Sequence, residues 1–516
     1  MIHCTLQSKK AMMDKDQYKA MFCNPNWDYT TLEAADEVIS KIGREYLKLK
    51  TYPNQIEIVT SEQMLDAYAL TGLPTSYPHW KFGKDFVLNQ NNYTKGRMGL
   101  SYELVINSDP CISYNMENNS TCMMLLVIAH ACQGHNAFFA NNYMFLDWTS
   151  ADSIVDYMVF AREFILKCEE EYGEEEVERV LDAAHALSNH GVDKYKKPSK
   201  ISARQENERL KNLATVKREN YNELWRTLPS PPSIPEHGPA GEEQRFPKEP
   251  EENILYFIEK YAPTLPAWKR EIIRIVRKVA QYFYPQGATK VMNEGFATFT
   301  HYHIINKLFD EGYVNDGFML EFIKSHSGVL YQPEYNSKYY AGLNPYTLGF
   351  NIFMDIKRIC QQPTKEDTYW FPNLAGKNWL DQVHYVMENF RDDSFILQYL
   401  SPKVIRDMKL FTIVDDENED TYEIGAIHNE RGYRKVREQL SNQYDRSNIV
   451  PNIQVTKVDL HKTSKLYLTH YIQKDRRLDH QSAKNTLEHI RYLWGFPVEL
   501  MSKNKLGINE STFEVA

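Results

Sequence analysis

Val127-Ile-Ala-His130-Ala-Cys-Gln-Gly-His135-Asn136 sets two histidines at the end of an apolar run that starts at Cys122. With Ser120 or Thr121 as its cap, the run predicts a buried helix through Met123–His130. Neutral imidazole is a good ligand for a borderline metal such as zinc. Helical pairs usually share one ion at i, i+4, as in His-Glu-x-x-His. Here the spacing is i+5, which on a straight α-helix separates the two rings by about 140° at roughly 100° per residue. They converge only if one extra residue is absorbed. A π-bulge, or a break at Gly134, does that, and π-bulges cluster at functional sites. The competing reading is a pair of hydrogen-bonded structural histidines at a helix end.

Working outward, the second informative stretch is Val291-Met-Asn-Glu-Gly-Phe-Ala-Thr-Phe-Thr-His-Tyr-His303. Glu294 and His301 are two helical turns apart, within about 20° of one face. Met292, Phe296 and Phe299 would desolvate the carboxylate, which is costly unless it is paired or metal-bound. A buried Glu–His hydrogen bond is the plain alternative. The string Asn-Glu-Gly-Phe-Ala resembles the segment that carries the glutamate ligand in zinc aminopeptidases of the gluzincin type. Two histidines and one glutamate form a common catalytic zinc set. The expected metal ligands are therefore His130, His135 and Glu294, holding Zn2+ or another divalent ion, with His301 as a fourth ligand or a supporting partner. The general base of His-Glu-x-x-His is missing, since Ala131 occupies its place. Glu103, Glu117 and His301 are the candidate catalytic groups. The strand expected at Tyr102–Ile106 suits a zincin-like substrate edge. His79, His326 and Asn344, on aromatic, proline-bearing loops, are candidate rim residues.

The remaining sequence bounds the answer. The chain has 516 residues, 42% hydrophobic and 25% charged, which is ordinary globular material. A net charge of −9 argues against a dedicated nucleic-acid binder. The longest purely apolar run, Cys122–Ala129, is far short of the roughly 20 residues of a membrane span. Lys9 and Lys10 have no apolar segment after them, so no signal peptide is expected. Seven scattered cysteines without a Cys-x-x-Cys pair suit a reducing cytoplasm. Cys132 reads as a buried small residue before it reads as a nucleophile. No phosphate loop, dinucleotide fingerprint, Gly-x-Ser-x-Gly elbow or Glu-x-x-His pair occurs.

The fold class expected is α+β. A large, mainly helical domain over 1–400 holds a zincin-like pair of metal-site helices. Residues 30–50, 151–187 and most of 252–400 read as helix. Ile56–Val59 reads as a strand, and Leu73–Gly83 as an ordered loop. Residues 194–220 read as a charged helix or linker, and about 228–250 as an exposed Pro-rich connector. A small α+β domain over 405–516 follows, with the order ββα-ββα of a duplicated unit: strands at 409–414, 422–427, 453–458 and 466–471, helices at 432–444 and 481–493, and a closing strand at 498–500.

Several strings carry a family resemblance: Tyr77-Pro-His-Trp-Lys-Phe-Gly-Lys84, Tyr102-Glu-Leu-Val-Ile-Asn-Ser-Asp-Pro110, His130–Tyr143, Ser153-Ile-Val-Asp-Tyr157, Trp225-Arg-Thr-Leu-Pro229, Asn293-Glu-Gly-Phe-Ala-Thr298, Asn344-Pro-Tyr346 and Leu493-Trp-Gly-Phe-Pro497. From about residue 25 to 500 the chain resembles the stage V sporulation protein R (SpoVR) family. The resemblance implies a cytoplasmic bacterial protein linked to the spore cortex or, in non-sporulating bacteria, to stationary-phase stress. It also implies a PrkA-type serine kinase and a von Willebrand A-like protein as partners. It supplies no reaction. Two functions follow: a zinc-dependent hydrolase of amide or peptide bonds, or a non-catalytic regulator in which the same residues are structural.

Overall fold

The computed structural model describes residues 14–70, 72–94, 102–194, 211, 246–334, 337–414, 423–425, 427, 429–459 and 463–516. Most of the expected connector at 228–250, most of the 194–220 stretch and the string at 225–229 lie outside the described residues.

The chain groups into two compact units, Met1–Glu163 with Pro285–Asp445, and Phe164–Tyr284 with Arg446–Ala516. The first is built on helices around one apolar core. Tyr29–Glu45, whose Asp28 cap accepts from Thr31 N, buries Leu32, Ala35, Val38, Ile39 and Ile42. That is the apolar face its 3.6-residue periodicity demands. A three-stranded sheet flanks the helices. Strand β1 (Asn54–Val59) and strand β2 (Glu103–Ile106) both pair with strand β3 (Cys111–Met116), in the order β1-β3-β2. β1 runs parallel to β3 and β2 antiparallel.

Ser120 caps the central helix by accepting from Met123 N. The stretch Thr121–Asn141 has the length and apolarity to cross a membrane, at mean hydropathy 1.2, but its apolar window is wholly buried in protein, as in a core helix. Within it, Ile128–His135 is π-helical. Helix Lys290–Asp310 packs against this segment and against helix Pro345–Gln361. Two glycine contacts allow that closeness. A Cβ on Gly134 would lie 2.5 Å from Ala297 Cα, and one on Gly295 would lie 2.4 Å from Gly349 Cα. Thr289 gives helix Lys290–Asp310 no side-chain cap. Asp392, about a hundred residues away, supplies it by accepting from Val291 N and Met292 N at 2.9 Å each.

The second unit carries a four-stranded sheet in the order of strands β6 (Ile453–Val458), β7 (Leu466–Tyr471), β8 (Val498–Lys503) and β9 (Asn509–Val515). β7 and β8 are parallel, joined through helix His480–Trp494, while the outer pairs are antiparallel.

Three expectations are corrected here. The grouping does not cut at 400–405, because helix Glu430–Tyr444 buries Val436 and Leu440 in the first unit's core. Arg437 Nε there donates to Leu400 O, and Ser441 Oγ donates to Asp393 O. The two ββα stretches are not copies. Strand β4 (Thr412–Val414) and strand β5 (Glu423–Gly425) form a separate two-stranded ribbon, whereas β6 and β7 belong to the larger sheet. The loop expected at 73–83 ends early, since a helix begins at Trp80 and runs to Thr94 with Gly83 inside it.

Candidate metal centre

The π-helical turn is what brings His130 and His135 together. Its i→i+5 hydrogen bonds stack residues five apart on one face, so the spacing that separates the rings on an α-helix aligns them here. Their centroids are 4.7 Å apart. Helix Lys290–Asp310 delivers Glu294 to the same point. Glu294 Oε2 lies 3.4 Å from His135 Nε2 and 3.8 Å from His130 Nε2. One ligand atom from each of the three residues falls within 4.8 Å of the others.

Hydrogen bonds fix how the rings point. His135 Nδ1 meets Asn293 Oδ1 at 2.8 Å. An amide oxygen only accepts, so Nδ1 carries the proton and Nε2 offers a lone pair to the centre. His130 Nδ1 meets His301 Nδ1 at 2.9 Å, which again leaves Nε2 towards the carboxylates. Aromatic rings hold both imidazoles: Phe139 stacks on His135 at 6.0 Å, and Tyr346 on His130 at 6.2 Å. His130 and His135 are only 3% and 7% exposed.

The donor set fits a cation. Tetrahedral zinc with bonds of roughly 2.0–2.1 Å needs ligand atoms about 3.3 Å apart, close to the separations seen. Glu294 Oε2 is buried and has no hydrogen-bond partner. An orphaned buried carboxylate oxygen is costly unless a positive charge meets it. Burial pushes the Glu294 acid up, but His135 and His130 outweigh it and hold the carboxyl well below the usual range. Burial opposes charge on His135, yet Glu294 overrides it and raises the imidazole.

The structure sorts the other candidates. Glu103, on β2, reaches the centre with Oε1 3.7 Å from His130 Nε2. Burial raises its acid against the pull of the two histidines, giving a carboxyl able to take and return a proton. Glu117 is exposed just past β3 and stands outside the cluster. His301 is corrected from ligand to support: it meets His130 on the nitrogen turned away from the centre. Burial keeps it neutral, its acidity reinforced by the neighbouring rings. His326 lies behind His301, with its Nδ1 2.8 Å from His301 Nε2, so it is not a rim residue. Burial pushes it down to about 4. Asn344 caps helix Pro345–Gln361, accepting from Tyr346 N while Nδ2 donates to Val329 O and Tyr331 O. His79 packs on Trp80 and Phe82. Cys132 is a buried thiol, pushed well up by desolvation.

Sequence reasoning passed over Tyr346 as a site residue. Its phenol is held protonated by burial first and by the negative charges of Glu294 and Glu103 next. The signal was Asn344-Pro-Tyr346, a cap followed by proline at N1 that pins a tyrosine at the first turn.

Residues 26–449 match the family described as SpoVR like protein, and residues 451–505 match the SpoVR-like C-terminal domain. The chain is 53% identical over 495 residues to the uncharacterized protein YcgB of Escherichia coli (strain K12), spanning 96% of each chain. No solved structure matches it.

Proposed function

The chain belongs to the SpoVR family, and we propose that its first unit is a zinc-type hydrolase centre acting on amide or peptide bonds. One observation carries this reading. Three ligand atoms converge from a π-helical turn and a neighbouring helix, and the carboxylate oxygen among them is buried without a hydrogen-bond partner. His130, His135 and Glu294 would hold the ion. A divalent ion bound there supplies an acidified water and a polarised carbonyl. Glu103 takes the place that Ala131 leaves without a base, removing a proton from the attacking water and returning it to the leaving amine. Tyr346 donates its hydroxyl hydrogen to negative charge that develops on the carbonyl oxygen. Asn293 and His301 keep the two imidazoles aimed.

The test is metal analysis of protein purified without a histidine tag, followed by hydrolysis of a mixed peptide library read by mass spectrometry. About one zinc per chain is expected, lost in His130→Ala and in Glu294→Gln. Glu103→Gln is expected to keep the zinc and to lose about 10²–10⁴-fold in hydrolysis. Full metal content in both ligand variants would falsify the assignment.

A second reading has support in the near-complete burial of His130 and His135, which a structural ion would equally show. The chain is then a regulator beside a PrkA-type serine kinase and a von Willebrand A-like protein. In that case Glu103→Gln leaves its role in cells unchanged while Glu294→Gln does not. A cytoplasmic spore-cortex or stationary-phase stress role is, for either reading, a proposal drawn from the family resemblance.

A further inference from the structure

His130, His301 and His326 form a continuous line of imidazoles, with contacts of 2.9 Å between His130 Nδ1 and His301 Nδ1 and 2.8 Å between His301 Nε2 and His326 Nδ1. His301 is fully buried, and His326 is 8% exposed. The outer ring is boxed by Phe322, stacked at 5.4 Å, and by Tyr302 and Phe350, each at 5.2 Å. Burial keeps both outer rings neutral. A neutral imidazole has one N–H and one lone pair, so each link must join a donor to a lone pair. Fixing one ring therefore fixes the other two, and only two arrangements of the line exist.

In the first arrangement His130 Nδ1–H donates to His301, His301 Nε2–H donates to His326, and His326 carries its proton on Nε2. His130 Nε2 then offers a lone pair to the centre. In the second every link is reversed, and His130 presents Nε2–H to Glu294 and Glu103, whose oxygens are 3.8 and 3.7 Å away. His135 has no such choice, because its partner is an amide oxygen.

We propose that His301 and His326 are positioning residues for His130, a tautomer relay that takes the second arrangement without a cation and the first with one. The proposal rests on the metal reading above. Its proton count balances. The His130 Nε2 proton leaves into the centre, the His301 Nδ1 proton passes to His130 Nδ1, the His326 Nδ1 proton passes to His301 Nε2, and a solvent proton arrives at His326 Nε2. All three rings are neutral before and after. His130 thus keeps a hydrogen-bonded Nδ1 whether it donates to a carboxylate or ligates an ion. The outermost ring, two residues removed from the ion, registers which of these it does.

The experiment uses the full chain labelled with 15N-histidine, followed by NMR with and without one equivalent of Zn2+; His326→Phe assigns the His326 signals. The ring-nitrogen shifts are expected to show the His326 proton on Nδ1 before zinc and on Nε2 after it. Zinc titration is expected to show a roughly 10–100-fold weaker site in His301→Phe. His301→Asn, whose amide oxygen accepts from His130 Nδ1–H, is expected to restore the affinity but not the response of His326. An unchanged His326 tautomer in the unmutated protein overturns the relay, and that measurement needs no variant to fold. Wild-type zinc affinity in His301→Phe overturns it as well. If zinc binds and is lost in Glu294→Gln while His326 stays silent, the relay alone falls. If the unmutated chain binds no zinc, the metal reading falls and takes the relay with it.

Discussion

Two buried carboxylates in this molecule have opposite surroundings. Glu259, in the second unit, is 1% exposed and is met by cations on both oxygens. Arg274 Nε and Arg277 Nε each lie at 2.9 Å, and Lys260 Nζ at 3.2 Å. Glu294, in the first unit, has a buried oxygen with no hydrogen-bond partner and faces imidazole nitrogens. A buried acid surrounded by fixed cations is complete as architecture. A buried acid surrounded by lone pairs makes sense as one member of a ligand set. The contrast separates stabilising charge from functional charge without reference to any family.

Four experiments would break or sharpen that contrast. The largest effect is all-or-none: Glu294→Gln abolishes stoichiometric zinc, whereas Glu259→Gln leaves zinc content at the wild-type level, both read by elemental analysis. Reversing those two results would erase the distinction. Next, Glu259→Gln strands Arg274 and Arg277 and destabilises the second unit by about 3–5 kcal/mol in urea unfolding. In Glu294→Gln the metal-free protein unfolds near the wild-type midpoint.

A third buried carboxylate lies between these cases. Asp392 accepts two backbone N–H bonds, yet burial raises it from 3.8 to about 7. The folded state therefore binds a proton that the unfolded state has released across that interval. Its contribution is whole below about pH 4 and is lost as pH rises through 7, by up to about 4 kcal/mol at roughly 1.4 kcal/mol per unit. Asp392→Asn should flatten that slope in unfolding midpoints measured from pH 4 to 8. A slope unchanged in the variant would assign it elsewhere. The smallest effect belongs to Gly134→Ala. Its Cβ would press on Ala297 Cα, costing about 1–3 kcal/mol. It would also push His135 off Glu294, so weaker zinc binding should accompany the lowered melting temperature. A lowered melting temperature with unchanged zinc affinity would show that the helix contact does not set the ligand distance.

Much of the centre was legible in the sequence, for local reasons. An i+5 histidine pair ending an apolar run requires one absorbed residue if its rings are to meet, and Ile128–His135 is π-helical. Glu103 stood among three candidate bases, but only tertiary structure singles it out, because β2 must be folded beside the π-helical turn. His301 shows the limit of periodicity. Two helical turns place it on the face of Glu294, but no count of residues tells which nitrogen of His130 it meets. The central strand β3 escaped because Ser113 and Asn115 are buried and bonded to each other, so apolar alternation is lost. The helix from Trp80 was hidden by Pro78 and Gly83, punctuation that usually closes a segment. The grouping of residues 412–445 with the first unit depends on contacts with residues 393–400, remote in sequence.

The π-helical turn also constrains what can be removed from this chain. Deleting one residue between His130 and His135 would restore a plain α-helix with the commoner i+4 spacing. Everything after the deletion would then be rotated by about 100°. Asn136 now answers the backbone N–H and C=O of Tyr52 and the amide of Asn54, and Asn142 bonds the carbonyls of Met387 and Phe390. Both anchors would swing out of reach together. The odd spacing is thus locked by the downstream half of the same helix, and shortening it to the familiar motif would cost the protein its core docking before it gained a better ligand pair.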